Sequence, residues 1–227
     1  MTWPAYDNAS WITGNARSLV TPVISVPAGP RFFVGLDLGQ VQDPTAVVIV
    51  EQQGTAQPTP HAAIYAVRHL HRFPLGTPYP VIVTEVHGLL LQPSLQGHTR
   101  LVVDATGCGR PVVDLLTQAR LDPVAVSIHG GDQVSHDGRH WRVPKRDLVG
   151  VLQVLLQTER LKIAAALPLA QTLTQELLTF RVTIDPRTAH DSYSAWREGM
   201  HDDLVLACAL ACWWGEQGAA RPGVFVL

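Results

Sequence analysis

RFFVGLDLGQVQDPTAVVIV, residues 31–50, decides the fold. Arg31 to Leu38 is a run of β-favouring apolar residues ending in Asp37-Leu38-Gly39. Gln40 to Pro44 then supplies turn chemistry, and Thr45 to Val50 resumes as a strand. The two read as a hairpin. A polar turn over Gly54 to Pro60 leads to a third strand of the same meander, Ala62 to Leu70. The informative residue is Asp37, because a carboxylate beside so apolar a run costs free energy unless something positive neutralises it.

Two further acidic islands repeat that pattern. Asp104 ends the strand of RLVVDATG, and Asp202 and Asp203 open the apolar run HDDLVLACALACWW. Carboxylates at the ends of neighbouring strands converge on one crevice, where open sheets often place their ligands. The start of a helix independently favours negative charge, so one acid of the Asp202–Asp203 pair serves as a cap and the other is left for a ligand. Oxygen donors from separate elements suit Mg²⁺ or Mn²⁺. Two such ions about 4 Å apart would activate a water and stabilise the departing oxygen of a phosphodiester. They would also keep each carboxylate ionised.

The remaining elements follow from periodicity. Tyr79 to Leu91, with apolar residues at Val81, Val83, Val86, Leu89 and Leu90 and a proline at 93, is expected as a helix. Leu101 to Asp104 is a buried strand, Pro111 to Ala119 a helix with proline in its first turn, and Pro123 to Ile128 a strand. That strand–helix–strand unit predicts parallel pairing. Gly130 to Arg142, with three glycines, reads as a surface loop. Lys145 to Glu159 is an amphipathic helix with apolar residues at Leu148, Val149, Leu152, Leu155 and Leu156. Leu161 to Ile163 is expected as an edge strand, Pro168 to Leu178 as a helix and Phe180 to Ile184 as a final strand. Asp185 to Gly199 is polar and turn-rich, ahead of a helix beginning near His201.

With 227 residues, 46% of them hydrophobic, the chain can bury one substantial core. The expected organisation is a proline-bearing arm over residues 1–30, one domain over 31–216 and a tail over 217–227. A formal net charge of −2 gives no global basic surface, so any contact with nucleic acid must be local. Lys145 and Arg146 are DNA-contact candidates, since positive charge at a helix start opposes the dipole by about 0.3 to 1 kcal/mol. A phosphate nearby would offset that cost. Arg110 and Arg100 flank the second acidic island, and Arg68, His69, His71 and Arg72 surround one strand. Three cysteines cannot form an all-disulfide scaffold, and the N-terminus lacks a basic region followed by an apolar one, so a reduced intracellular compartment is expected. No uninterrupted apolar run reaches the roughly 18 residues of a membrane span.

Taken in order, GLDLGQVQDPTAVVIV, LVVDATGCGRPVVDLL, VPKRDLVGVLQVLLQTERLKIA, LTQELLTF and HDDLVLACALACWW resemble the nuclease domain of the large terminase subunit of tailed bacteriophages. The resemblance covers roughly residues 31–216. It implies an α/β fold similar to ribonuclease H and Holliday-junction resolvases, with a central mixed sheet, an antiparallel three-strand meander followed by parallel strands, and flanking helices. It also implies metal-dependent, largely sequence-nonspecific cleavage of double-stranded DNA during genome packaging, in the cytoplasm of a bacterial host. The family's acids fall on Asp37, Asp104 and the Asp202–Asp203 pair. Asp43 belongs to the first motif and His201 precedes the last, so both are candidates for supporting roles.

The sequence has no GxxxxGK[ST] phosphate loop, unlike the motor that precedes the nuclease in full large terminases. A separate packaging ATPase, small terminase subunit or portal is therefore the expected partner, with no membrane involved. The chain fits an excised domain, a stand-alone protein or a prophage relic. Two other readings compete. A catalytically silent interaction module would keep the acids without the activity, and an actin-like ATPase would use GLDLG and VVDATGCG to embrace phosphates but needs two duplicated lobes. Cys208 and Cys212, four apart among small apolar residues, read as core positions rather than metal ligands. Trp213 and Trp214 read as a seal on the last helix.

Overall fold

The computed structural model describes residues 31–39, 43–54, 63–107, 109–183 and 202–219. The expected arm over 1–30, the turns over 40–42 and 55–60, the polar stretch 185–199 and the residues Cys108 and His201 lie outside the described residues, as does the side chain of Arg110.

The first three strands form the expected meander: β1 (Arg31–Asp37) pairs antiparallel with β2 (Ala46–Gln53), which pairs antiparallel with β3 (Ile64–Arg72). Helix α1 (Tyr79–Leu90) buries Ile82, Val83 and Val86 along one face, with a proline in its first turn. It leads into β4 (Thr99–Asp104), which runs parallel to β1. Helix α2 (Gly109–Gln118) then crosses to β5 (Val124–His129), parallel to β4 as the strand–helix–strand pattern requires.

The glycine-rich stretch after β5 departs from its reading as a loop. It forms a hairpin of β6 (Ser135–Asp137) and β7 (His140–Pro144), and β7 extends the sheet parallel to β5. Gly138 takes φ +57°, the left-handed conformation that a two-residue hairpin turn demands at its first central position. Trp141 and Val143 point into the core while β6 is exposed throughout, so the stretch is polar because only one face of one strand is covered.

Helix α3 (Lys145–Gln157) is followed by β8 (Leu161–Ile163), which pairs with β3 at the sheet edge, and by α4 (Ala170–Thr183). The strand expected over Phe180 to Ile184 is absent from the described residues: α4 continues through Thr183. Leu173, Leu177 and Phe180, spaced four and three apart, are buried together, and that helical stripe overrides the β-favouring local sequence. The last helix, α5 (Asp203–Ala219), follows.

The strand order is β6-β7-β5-β4-β1-β2-β3-β8, a mixed sheet covered on both faces. Phe32, Val34, Leu36, Val47, Ile49, Leu101 and Val103 face α1 and α2. Phe33, Ala46, Val48, Val102 and Val126 face the apolar body of α5, with α3 and α4 beyond. Cys208 and Cys212 are free and buried in that second core, and Trp213 and Trp214 pack against Trp141, as expected of core and sealing residues. Among the described residues no helix is long and apolar enough to cross a membrane.

Candidate functional site

Sheet register brings the first two aspartates together. The parallel ladder of β1 and β4 runs from Phe32 opposite Thr99 to Leu36 opposite Val103, so the next step sets Asp37 level with Asp104. On the other side Asp37 is paired with Ala46, which is paired with Arg72, and Asp104 is paired with Val126. One row across the sheet therefore reads Val126, Asp104, Asp37, Ala46, Arg72. Phe33 and Val102 belong to the α5 side, and the two-residue period assigns Asp37 and Asp104 to that side as well.

The end of α5 completes the arrangement. Asp202 occupies its N-cap, where its carbonyl accepts the Leu206 N–H at 2.9 Å, and Asp203 is the first helical residue. Helix and strands meet closely enough that a Cβ on Gly35 would come within 1.7 Å of the Ala207 carbonyl oxygen. Asp203 is therefore carried by a helix seated directly on β1.

The electrostatics register this convergence. Asp37 is held well above the usual carboxylate range, by burial first and then by the charges of Asp104, Asp202, Asp203 and Asp43. Burial pushes Asp202 up to about 6, opposed by the neighbouring Lys145 ammonium. Asp104 is buried and its Oδ1 accepts the Thr106 N–H at 2.7 Å, while Thr106 Oγ1 accepts the Ile128 N–H at 2.7 Å. The turn beyond Asp104 is thus fastened to β5. Asp43 is half-buried, on the turn closed by the Gly39 N–H on Thr45 Oγ1 at 3.1 Å.

Asp203 has a different environment from its neighbour. It is 2% exposed, and its Oδ2 accepts a hydrogen bond from Arg72 Nε at 2.6 Å. The same guanidinium is paired through Nη2 with Glu176 Oε1, from α4. In the sequence Arg72 is one of several cations around an exposed-looking strand, whereas in the structure its guanidinium turns to Asp203 and Glu176. A bulge is the cause: Ile49 faces His69 and Val50 faces Val67, so Arg68 has no opposite number and the alternation of faces shifts beyond it. Arg68 itself pairs with Glu51, Nε to Oε2 at 2.6 Å. His69 and His71 do share a face, and burial, with His71 nearby, lowers the pKa of His69. Glu176 was missed altogether. Its signal was an acid one position before Leu177 in an otherwise apolar helical stripe.

Of the DNA-contact candidates, Lys145 opens α3 within electrostatic reach of Asp202. Arg146 is exposed and donates through Nη2 to the Asp132 carbonyl at 2.8 Å. Arg110 lies in the first turn of α2, just beyond Asp104 in sequence. A cleft of about 340 Å³ lined by Arg31, Phe33, His98, Arg100, Trp141 and Trp214 lies at the opposite ends of β1 and β4, away from the carboxylates.

Among the described residues no three His, Cys, Asp or Glu side chains are gathered tightly enough to hold an ion as they stand. The donor set nevertheless suits a hard divalent cation, because Asp37, Asp104 and Asp202 offer only carboxylate oxygens and their charges oppose the ionisation of Asp37.

A mixed sheet that opens with an antiparallel meander, continues in parallel strands and carries a buried helix across β1 and β4 defines an RNase H-like domain. Among solved structures it is similar to the human cytomegalovirus terminase nuclease domain, soaked with Mn, at 12% identity over 88% of this chain and 90% of that one, with a TM-score of 0.53. It is also similar to the large terminase nuclease from thermophilic phage G20c with bound magnesium, at 18% identity over 80% of each chain, with a TM-score of 0.51. At these identities the likeness is one of fold. No protein-family model and no curated protein matches the sequence.

Proposed function

We propose that this domain is a metal-dependent endonuclease that hydrolyses phosphodiester bonds of double-stranded DNA, largely without regard to sequence, during phage genome packaging in a bacterial cytoplasm. The observation that carries the reading is Asp37 set level with Asp104 at the ends of adjoining strands, under a helix that starts with Asp202 and Asp203. Asp37, Asp104 and at least one of Asp202 and Asp203 would hold Mg²⁺ or Mn²⁺, two ions in all, with Asp43 on the adjoining turn in support and His201 a further candidate. Bound ions would supply a reactive water at neutral pH and charge to stabilise the departing oxygen.

The protein's own groups do the rest. Asp104 is oriented by the Thr106 N–H and Asp202 by its place at the helix start. Lys145, within electrostatic reach of Asp202, offers a cation to the approaching backbone, with Arg146 next to it at the start of α3 and Arg110 a further candidate. Double-stranded DNA is the substrate, and a separate packaging ATPase, small terminase subunit or portal would present it. The same reading is supported by the magnesium-bound and Mn-soaked terminase nuclease structures that share the fold.

Plasmid nicking in Mn²⁺ tests it. Cleavage should appear with Mn²⁺ or Mg²⁺, vanish in EDTA, and fall on the order of 100-fold or more in Asp37→Asn and Asp104→Asn, which remove a ligand charge at nearly constant volume. Undiminished cleavage by either variant, with melting unchanged, would remove that residue from the site.

A further inference from the structure

Two adjacent acids at one helix start have unlike surroundings, and a half-buried cation accounts for the difference. Arg72 is the last residue of β3 and lies in the row of Asp104 and Asp37, with the small Ala46 between. Its guanidinium forks, one edge to Asp203 and the other to Glu176. The Arg72, Asp203 and Glu176 side chains are 22%, 2% and 8% exposed. One guanidinium thus ties the start of α5 to the end of β3 and, through its other edge, to α4.

A buried ion pair of this kind is a poor source of net stability, because desolvation offsets most of the attraction, and its best-attested use is to fix register. Here it fixes the first turn of α5, the turn that presents Asp202. Lysine could not do the same work, since an ammonium is a point charge without two planar edges.

We propose that Arg72 and Glu176 are positioning residues that lock Asp203 and the first turn of α5, so that Asp203 anchors the helix and Asp202 is the member of the pair that meets the ions. The assignment rests on the metal-dependent reading above. It divides a pair that sequence alone left undivided.

Two measurements on the full chain test it: Mn²⁺ affinity by electron paramagnetic resonance, and thermal melting in EDTA. Asp202→Asn should weaken Mn²⁺ binding at least tenfold with little change in melting. Asp203→Asn should lower the melting temperature, and weaken Mn²⁺ binding less than Asp202→Asn does. Arg72→Gln and Arg72→Lys should lower melting alike, and the double variant Arg72→Gln/Asp203→Asn should melt no lower than the worse single variant, as expected of two halves of one interaction.

A larger loss of Mn²⁺ binding from Asp203→Asn than from Asp202→Asn, or strictly additive melting losses, would overturn the assignment. Asp104→Asn is the control for the ion reading itself. A wild-type protein that binds Mn²⁺ no more tightly than Asp104→Asn sinks that reading, whereas tight binding with the order of Asp202 and Asp203 reversed sinks only the division of labour.

Discussion

Glu176 is an acid kept out of water beside a cation that it must share with Asp203. Burial raises its pKa to about 7 even though Arg72 pulls it down, and the ordinary value is 4.5. Between those two values the folded protein retains a proton that the unfolded chain has released. Stability contributed by that proton is therefore present at low pH and is lost as pH rises through the window. Asp202, raised to about 6 by burial, acts in the same direction from 3.8 upward. In EDTA the melting temperature should accordingly decline between about pH 4.5 and 7. Glu176→Gln, with no proton to lose, should flatten the decline by up to one proton's contribution, at most about 1.4 kcal/mol per pH unit. Melting curves across that range, with and without the substitution, settle it, and a variant whose slope matches the wild type would place the titration elsewhere.

The meeting of α5 with β1 is the contact on which the site's geometry depends, and it was only half legible in the sequence. An apolar run ending in Asp37 and another beginning after Asp203 announce a buried strand and a buried helix. Their tight approach depends on Gly35, and periodicity alone does not reveal it. A methyl group there would collide with the Ala207 carbonyl, a backbone atom that cannot swing aside. Gly35→Ala should therefore destabilise the fold by about 1 to 3 kcal/mol in urea titration, the usual cost of overpacking, and displace the start of α5. A substitution within 0.5 kcal/mol of wild type would show that the helix can shift freely. The same limit explains the readings that failed. β7 carries only two inward side chains, and α4 carries β-favouring residues behind a helical stripe. The bulge at Arg68 leaves no composition signal, yet it reverses which side of β3 each later residue faces. Strict alternation from Tyr65 and Val67 would have put His69 and His71 beside α5, and Arg72 on the far side of the sheet.

Across the whole molecule, residues remote in sequence share one pole because β1 and β4 run parallel and α5 returns over them. That pole holds a concentration of negative charge on a chain already at −2. Duplex DNA must therefore be attracted by a few local cations, and the start of α3 supplies two at the same pole as the acids. Lys145 lies within electrostatic reach of Asp202, and Arg146 is exposed in an ion pair with Asp132 that costs little to give up. Replacing both with alanine should weaken duplex binding and reduce the dependence of log affinity on log salt by up to about two phosphate contacts. Arg100, at the opposite ends of the same strands and paired with Asp122, is the matched control, and Arg100→Ala should leave that slope as it was. Titrations of labelled duplex at several salt concentrations measure both slopes. An unchanged slope for the double variant would mean that DNA approaches from another side. A reduced slope for Arg100→Ala would extend the binding surface to the far cleft. The expected contrast between the two ends ties the charge distribution to the polarity of the sheet itself, since the parallel strands put carboxylates and α3 at one end and the aromatic cleft at the other.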